Sequence, residues 1–378
     1  MEKAFAGEAD LKSLKYLGLS FFLYWLASSL FNIFFPVYLL EIGLSLHQIL
    51  FVLLLTFLVV GLLPLALLTF FTRNFESLMV VGILLTLAFY ATLLFVKDPL
   101  LLGLLNGLYI AVFWPSFNLL LFRLTSLEIR ATAISVILVF VPTVCGVLGP
   151  SIGGFVIERF GYAVLLLSAM AMFAASAAAS VGIRMQPLEQ GFSLPNPKLF
   201  SVFAFTFVVY GLVEHFWLAY PLFLYRLAEG VFFMGILASA LSLISSIVAI
   251  GVGRLSDVTA RRVEFCVAGT FAYSAYLFLL ALVEEPLQLI PAAVVWGVCQ
   301  SLASPSTALL ADSFDKRYYP TITVLMEFFL MLGRLGNLAL MYVFIATEQF
   351  ANYFLALSAL ALLLVPAYVV LRAKYGLK

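Results

Sequence analysis

Gly253-Arg254-Leu255-Ser256-Asp257-Val258-Thr259-Ala260-Arg261-Arg262 is the densest run of charge in a very apolar chain. A hydrophobic segment of membrane-spanning length precedes it, and another follows. A glycine, an acid four residues on and a closing pair of arginines read as a tight polar connection between two buried helices. The fold class follows from what this connection joins. The 378 residues are 65% hydrophobic and 10% charged, with a mean hydropathy of +1.16. A water-soluble domain carries about a quarter charged residues, so a single soluble core cannot hold this much apolar surface. The chain reads as an all-α polytopic membrane protein.

Inside a bilayer each backbone group must be paired within its own segment, and about 20 residues cross the hydrocarbon. The sequence predicts twelve transmembrane helices on that basis, at 14–40, 46–71, 78–96, 100–122, 131–157, 162–183, 199–225, 231–253, 263–283, 287–311, 321–346 and 352–371. Short polar connections such as Lys97-Asp98-Pro99 and Glu284-Glu285-Pro286 separate them. Pro187, Pro195 and Pro197 give 184–198 the composition of a linker. It is expected to lie in the cytoplasm and to divide an N-terminal six-helix bundle, 1–183, from a C-terminal six-helix bundle, 199–378. Of the 20 Lys and Arg, 16 fall on the membrane side of the N-terminus and three (Lys97, Arg159 and Arg226) on the other. Positive charge concentrates in cytoplasmic loops. Both termini are therefore expected in the cytoplasm and the protein in the cell membrane. The first dozen residues are polar and the hydrophobic run after them is full length, which argues against a cleaved signal peptide.

The halves repeat one another. Gly107…Pro115-Ser116…Leu119-Leu120 recurs 190 residues later as Gly297…Pro305-Ser306…Leu309-Leu310. Gly146-x-x-Gly149 recurs 187 residues later as Gly333-x-x-Gly336. Tyr24…Pro36-x-Tyr38-Leu39 has a near copy in Tyr210…Pro221-x-Phe223-Leu224. The matches lay spans 1, 4 and 5 over spans 7, 10 and 11. An even number of spans per half inserts both halves the same way up. The result is a parallel repeat about an axis along the membrane normal, a transporter architecture.

With its two repeated halves, its Gly253–Arg262 loop and its Gly146-x-x-Gly149 motif, the whole chain resembles the major facilitator superfamily. Gly253-Arg-Leu-Ser-Asp257-x-x-x-Arg261-Arg262 looks like that family's loop signature between the second and third helix of a half. Gly146-x-x-Gly149-Pro150-x-x-Gly153-Gly154 is similar to its antiporter signature. Phe113-Trp114-Pro115-x-x-Asn118 followed by Glu128-x-Arg130 is similar to its fourth helix and the loop beyond. The resemblance implies two six-helix bundles that rock about a central cavity lined by spans 1, 4, 7 and 10. Two departures stand out. The first-half loop, Thr72-Arg73-Asn74-Phe75-Glu76, lacks the glycine and the aspartate. Gly103 occupies the place where proton-antiporter members often carry an arginine.

The four tryptophans, Trp25, Trp114, Trp217 and Trp296, fall one each on spans 1, 4, 7 and 10. Residues three or four apart share a helix face. Trp25, Ser28 and Asn32 form one such face, Trp114 and Asn118 a second. Tyr210, Glu214, Trp217 and Pro221 form a third, Trp296 and Gln300 a fourth. Each mixes aromatic and polar groups, as a substrate pocket would, although tryptophan also gathers at bilayer interfaces and polar side chains also pack helices. Glu214, Glu327 and Arg334 are the candidate ion-coupling residues. A carboxylate in mid-span costs about 2.5–3.5 kcal/mol and is seldom tolerated without a role. Arg334 follows Glu327 by two helical turns, so a purely structural ion pair is the competing reading. His215 adjoins Glu214 but points about 100° away along a helix, which suits a packed or hydrogen-bonded side chain. Gly253, Asp257, Arg261, Arg262 and Arg130 form the candidate cytoplasmic gate, with Asp257 expected near Arg130-Ala131-Thr132 when that side is closed.

Composition excludes several classes. A net charge of +1 gives no footprint for nucleic acid, and two histidines cannot build a multi-His metal site. Cys145, Cys266 and Cys299 all sit in hydrophobic segments and read as small apolar residues. There is no phosphate-binding G-x-x-x-x-G-K-[ST] run. No metal, cofactor or catalytic constellation is expected, so an enzyme or a lipid scramblase is a remote alternative. The expected function is secondary transport by a monomer in the lipid bilayer: proton-coupled export of an amphipathic or aromatic small molecule. The alternative is uptake of a small polar solute, such as a sugar or metabolite, by symport or uniport.

Overall fold

The computed structural model describes residues 2–67, 75–124, 135–183, 195–256, 262–303, 309–310 and 313–375. All regular structure among them is helical. Nine of the described helices are long and apolar enough to cross a membrane, and two more, Pro197–Val213 and Pro286–Gln300, are apolar but shorter. The chain is thus a multi-pass membrane protein. It groups into two compact units, Met1–Phe192 with Gly230–Ser239, and Ser193–Glu229 with Ala240–Lys378.

In the first unit, α1 (Glu2–Phe31) tightens into a 3-10 turn over Asn32–Phe34 before α2 (Phe35–Glu41) resumes. Pro36 has no N–H for the Asn32 carbonyl, which is the cause. Helix α3 (Leu46–Ala66) starts at a reciprocal cap. The Ser45 hydroxyl accepts the Gln48 N–H, and the Gln48 side chain accepts the Ser45 N–H at 2.8 Å. Helices α4 (Phe75–Phe95) and α5 (Pro99–Leu124) follow, then a π-helical stretch, Ser135–Phe140, leads into α6 (Val141–Ser180). The sequence predicts two spans where α6 runs. They meet at Gly161, whose φ of 81° and ψ of 170° break the helical path without a loop. Only glycine adopts that backbone without strain.

The second unit holds α7 (Pro197–Val213), α8 (Ala219–Leu227), most of α9 (Val231–Ser256), α10 (Arg262–Ala281), α11 (Leu289–Ala303), α12 (Tyr319–Phe344), α13 (Phe350–Ala361) and α14 (Leu364–Tyr375). Helix α7 begins at Asn196, whose side chain accepts the Lys198 N–H at 3.0 Å, with Pro197 at the first helical position. Two expected spans are interrupted. The span at 199–225 parts into α7 and α8, one turn before Pro221. The last span parts into α13 and α14 at Leu362–Leu363, where Pro366 offers no N–H to Leu362. The stretch read as a charged loop is also partly helical, since Gly253 to Ser256 complete α9. Arg262 opens α10. Asp257, Arg261 and Arg130 lie outside the described residues, and so does their expected approach.

Small residues set the helix spacing. A Cβ added at Gly153 on α6 would stand 2.0 Å from the Leu30 carbonyl oxygen of α1. One added at Gly333 on α12 would stand 2.0 Å from the Val208 carbonyl oxygen of α7. Aromatic stacking fills the first core, with Phe21 on Phe117 at 4.2 Å and Tyr24 on Phe113 at 3.8 Å between ring centroids. Phe200, Phe203 and Phe207 of α7 fill the second, against Val263 and Cys266 of α10 and Leu364, Tyr368 and Leu371 of α14.

Two serine pairs tie helices reciprocally. Ser20 of α1 donates to the Ser176 carbonyl at 3.0 Å, and Ser176 of α6 returns a bond to the Ser20 carbonyl at 2.7 Å. Ser274 of α10 and Ser358 of α13 do the same at 2.9 and 2.8 Å. Each hydroxyl thus meets a partner from another helix where water is absent.

Gly333→Val is expected to destabilise the protein by about 1–3 kcal/mol, the usual cost of forcing extra carbons into a packed contact. Gly18→Ala, where an added Cβ meets nothing within 4 Å, should leave stability unchanged or slightly raised. Thermal unfolding of the two variants side by side in detergent checks the contrast.

Candidate functional site

The interruption of the α7–α8 segment builds the site. Helix α7 stops at Val213, and Glu214 takes φ −67° and ψ 111°, an extended backbone. Residues 214–218 then turn before α8 begins. A helix end leaves carbonyls without intrahelical partners, and in a membrane these need protein donors. They find them. The Tyr273 hydroxyl of α10 donates to the Val213 carbonyl at 2.8 Å. The Asn337 amide of α12 donates to the Glu214 carbonyl. Tyr353 of α13 in turn donates to Asn337 Oδ1 at 2.7 Å, which holds the amide in place. The His215 carbonyl accepts the Tyr220 N–H at 3.0 Å.

The Glu214 carboxylate meets Arg334 of α12 as a two-pronged pair. Arg334 Nε donates to Glu214 Oε2 at 2.7 Å and Nη2 to Oε1 at 3.1 Å. The indole N–H of Trp217 donates to the same Oε2 at 2.7 Å. Arg334 also gives Nη1 to Glu327 Oε2 at 3.3 Å. Its guanidinium carbon lies 5.5 Å from the centroid of the Trp217 ring, within cation–π range. The side chains of Arg334 and Glu327 are 9% and 11% exposed, that of Glu214 27%. Glu214 is therefore the more accessible acid and the better bonded one. Fork-to-fork pairing of this kind is the strong form of charge-assisted hydrogen bond.

Aromatic rings stand beside the break. Trp296 of α11 lies 4.9 Å from Tyr276, 5.3 Å from Phe216 and 6.0 Å from Tyr273, centroid to centroid. His215 is fully buried, with Nε2 3.1 Å from the Tyr276 hydroxyl and Nδ1 3.3 Å from that of Tyr273. Phe216 is 43% exposed and Trp296 half-buried. The site thus combines two acids, one guanidinium and a part-exposed aromatic wall.

The structure brings Glu214, Trp217, Glu327 and Arg334 into direct contact and places Trp296 with the aromatic residues around the break. Tyr210 instead joins its hydroxyl to that of Tyr368 on α14 at 2.5 Å. Gln300 is exposed on α11. In the first unit, Trp25 and Trp114 meet edge to face at 5.5 Å. Ser28 is buried on the same helix as Trp25, Asn118 is half-buried on α5, and Asn32 is exposed in the 3-10 turn. Sequence reasoning missed Tyr273, Tyr276, Asn337 and Tyr353. Asn337 carried a usable signal, since it lies one turn beyond Arg334 on one face of α12. No cluster of His, Cys, Asp or Glu suited to a metal occurs among the described residues. Cys145, Cys266 and Cys299 are buried free thiols.

The Major Facilitator Superfamily model matches residues 17–336. No curated protein matches the chain in sequence. Among solved structures, the nucleoside transporter NupG superposes with a TM-score of 0.67 at 13% identity, covering 96% of this chain and 99% of that one. A point mutant of NupG superposes with a TM-score of 0.68 at 13% identity, covering 95% and 99%. At this identity the likeness is one of fold.

Arg334→Met strands two acids in the membrane and is expected to cost about 3–5 kcal/mol, as removal of one partner from a buried pair does. The triple variant Glu214→Gln, Glu327→Gln, Arg334→Met should recover most of that loss, because coupled charges are not additive. Unfolding of the single and triple variants measures the recovery.

Proposed function

The chain belongs to the Major Facilitator Superfamily and is a membrane transporter of that family, not an enzyme; from that premise we propose proton-coupled export of a small amphipathic, aromatic molecule by alternating access. The proposal includes twelve spans in two pseudo-symmetric six-helix bundles, 1–183 and 199–378, with both termini in the cytoplasm of a monomer in the cell membrane. The equivalent close packing of α6 on α1 and of α12 on α7 supports the repeat.

The observation that carries the reading is the surplus carboxylate. Among the described residues two acids share one guanidinium, so these three side chains, when ionised, carry a net charge of −1. In a low-dielectric region such a charge attracts whichever cation reaches it. A proton satisfies it, and so does the ammonium of an amphipathic aromatic amine whose rings rest on Phe216 and Trp296. Occupancy by one disfavours the other, which is the requirement for exchange. The two acids divide the work. Glu214 accepts three hydrogen bonds from Arg334 and Trp217 and serves as the anchor. Glu327 accepts a single bond from Arg334, at 3.3 Å, and takes the proton at the smaller loss of contacts.

A second reading is uptake of a polar solute by proton symport. The similarity to NupG, described as a nucleoside transporter, favours it, and exposed Asn32 and Gln300 offer hydroxyl partners. The same acids would then carry proton and solute in one direction.

The test uses ethidium, a cationic aromatic dye, with purified protein in liposomes. Glu327→Gln is expected to lower pH-gradient-driven dye movement at least about tenfold, roughly the consequence of losing 1.4 kcal/mol of coupling, while dye–dye exchange persists. Gradient-driven movement at the unaltered rate in Glu327→Gln would remove the proton role. Uncoupled dye together with proton-linked uptake of nucleosides would select the second reading.

A further inference from the structure

A groove of about 660 Å³ runs between α10 and α14, lined by Val263, Glu264, Val267, Phe271, Val369 and Arg372. Its lining residues take no part in the proton reading. Phe271 and Val369 are 53% and 52% exposed, and in a membrane-spanning helix pair this surface faces acyl chains. The groove ends in charge. Arg372 Nη1 donates to Glu264 Oε1 at 3.1 Å, with side chains 62% and 36% exposed. Glu264 to Phe271 is seven residues, about 10 Å of helix. That depth takes a lipid from its headgroup to the first carbons of a chain.

From this we infer that the groove is a binding site for a phospholipid with a primary-ammonium headgroup, phosphatidylethanolamine in class. The argument is charge complementarity. Arg372 has five N–H donors in a fork that fits phosphate, and one of them, on Nη1, reaches Glu264. Glu264 keeps acceptor capacity for an N–H donor. A zwitterion lays its phosphate on Arg372 and its ammonium on Glu264, so that the four charges alternate. A purely anionic headgroup meets Arg372 but also the carboxylate beside it. A choline headgroup has the charge but no N–H to donate to Glu264. Both helices reach the membrane surface at this end, α10 starting at Arg262 and α14 ending at Tyr375. On the sidedness proposed above it is the cytoplasmic leaflet.

The experiment is native mass spectrometry of the full chain, delipidated and offered equal amounts of phosphatidylethanolamine, phosphatidylcholine and phosphatidylglycerol with identical chains. The expected result is retention of phosphatidylethanolamine about fivefold over phosphatidylcholine, the worth of one added hydrogen bond of ordinary net strength. Glu264→Gln should bring that ratio to about unity, and Arg372→Gln should lower retention of every headgroup. Ala268→Trp fills the groove with the ion pair intact and should lower retention of phosphatidylethanolamine, which decides the matter if the charge variants do not fold. Equal retention of all three lipids by the unaltered protein overturns the inference. So does a preference for phosphatidylglycerol, or a preference for phosphatidylethanolamine that survives both Glu264→Gln and Ala268→Trp.

Discussion

An arginine held between two carboxylates inside a membrane-spanning helix is the constraint on which the second unit depends. An exposed ion pair of this kind contributes little. In a region that excludes water each charge is costly alone, and partners are needed in good geometry. Arg334 is supplied accordingly: Glu214 takes two of its nitrogens, Glu327 takes a third, and Trp217 covers its face. Those contacts gather α7, its short continuation α8 and α12 around one side chain. The same contacts set two carboxylates and a guanidinium side by side at the point where the helix breaks.

The interrupted helix is the other side of that arrangement. A broken backbone in hydrocarbon exposes carbonyls that lipid cannot bond. Tyr273 and Asn337 answer two of them, and Tyr353 fixes Asn337. The break therefore lies among protein groups, the setting in which discontinuous helices of transporters place ions and substrates. Its aromatic surround supplies flat surfaces next to charge, and the most exposed of them, Phe216, belongs to the turn itself.

Much of the fold is legible from hydropathy, because a bilayer demands long apolar segments and tolerates few charges. The contact between Arg334 and Glu327 is legible for a related reason, since two charged residues seven apart on one helix have little else to meet. The interruption at Glu214 is not. Glu214-His215 in an apolar run reads equally well as polar groups on an unbroken face, and Pro221 as a kink rather than a stop. The carbonyls that recruit Tyr273 and Asn337 exist only once the helix has broken, so those two residues carry no mark of their role in the sequence. Gly161 is another case. A single glycine at positive φ replaces the loop expected between two spans. The charged stretch at 253–262 shows the reverse error, since its first four residues had enough helix behind them to continue it.

The reciprocal serine pairs have a mechanical consequence. Hydrophobic contacts between helices tolerate sliding, because one methyl replaces another. The pairs Ser20–Ser176 and Ser274–Ser358 do not, because both hydroxyls and both carbonyls must be level. A slip of one residue, about 1.5 Å, would unseat donor and acceptor together and take from both hydroxyls their partner on the other helix. Each pair acts as a dowel against shear between α1 and α6 in one unit and between α10 and α13 in the other. Rearrangement inside those helix pairs is thereby confined to twisting about the pin, and translation along the membrane normal must carry both helices at once.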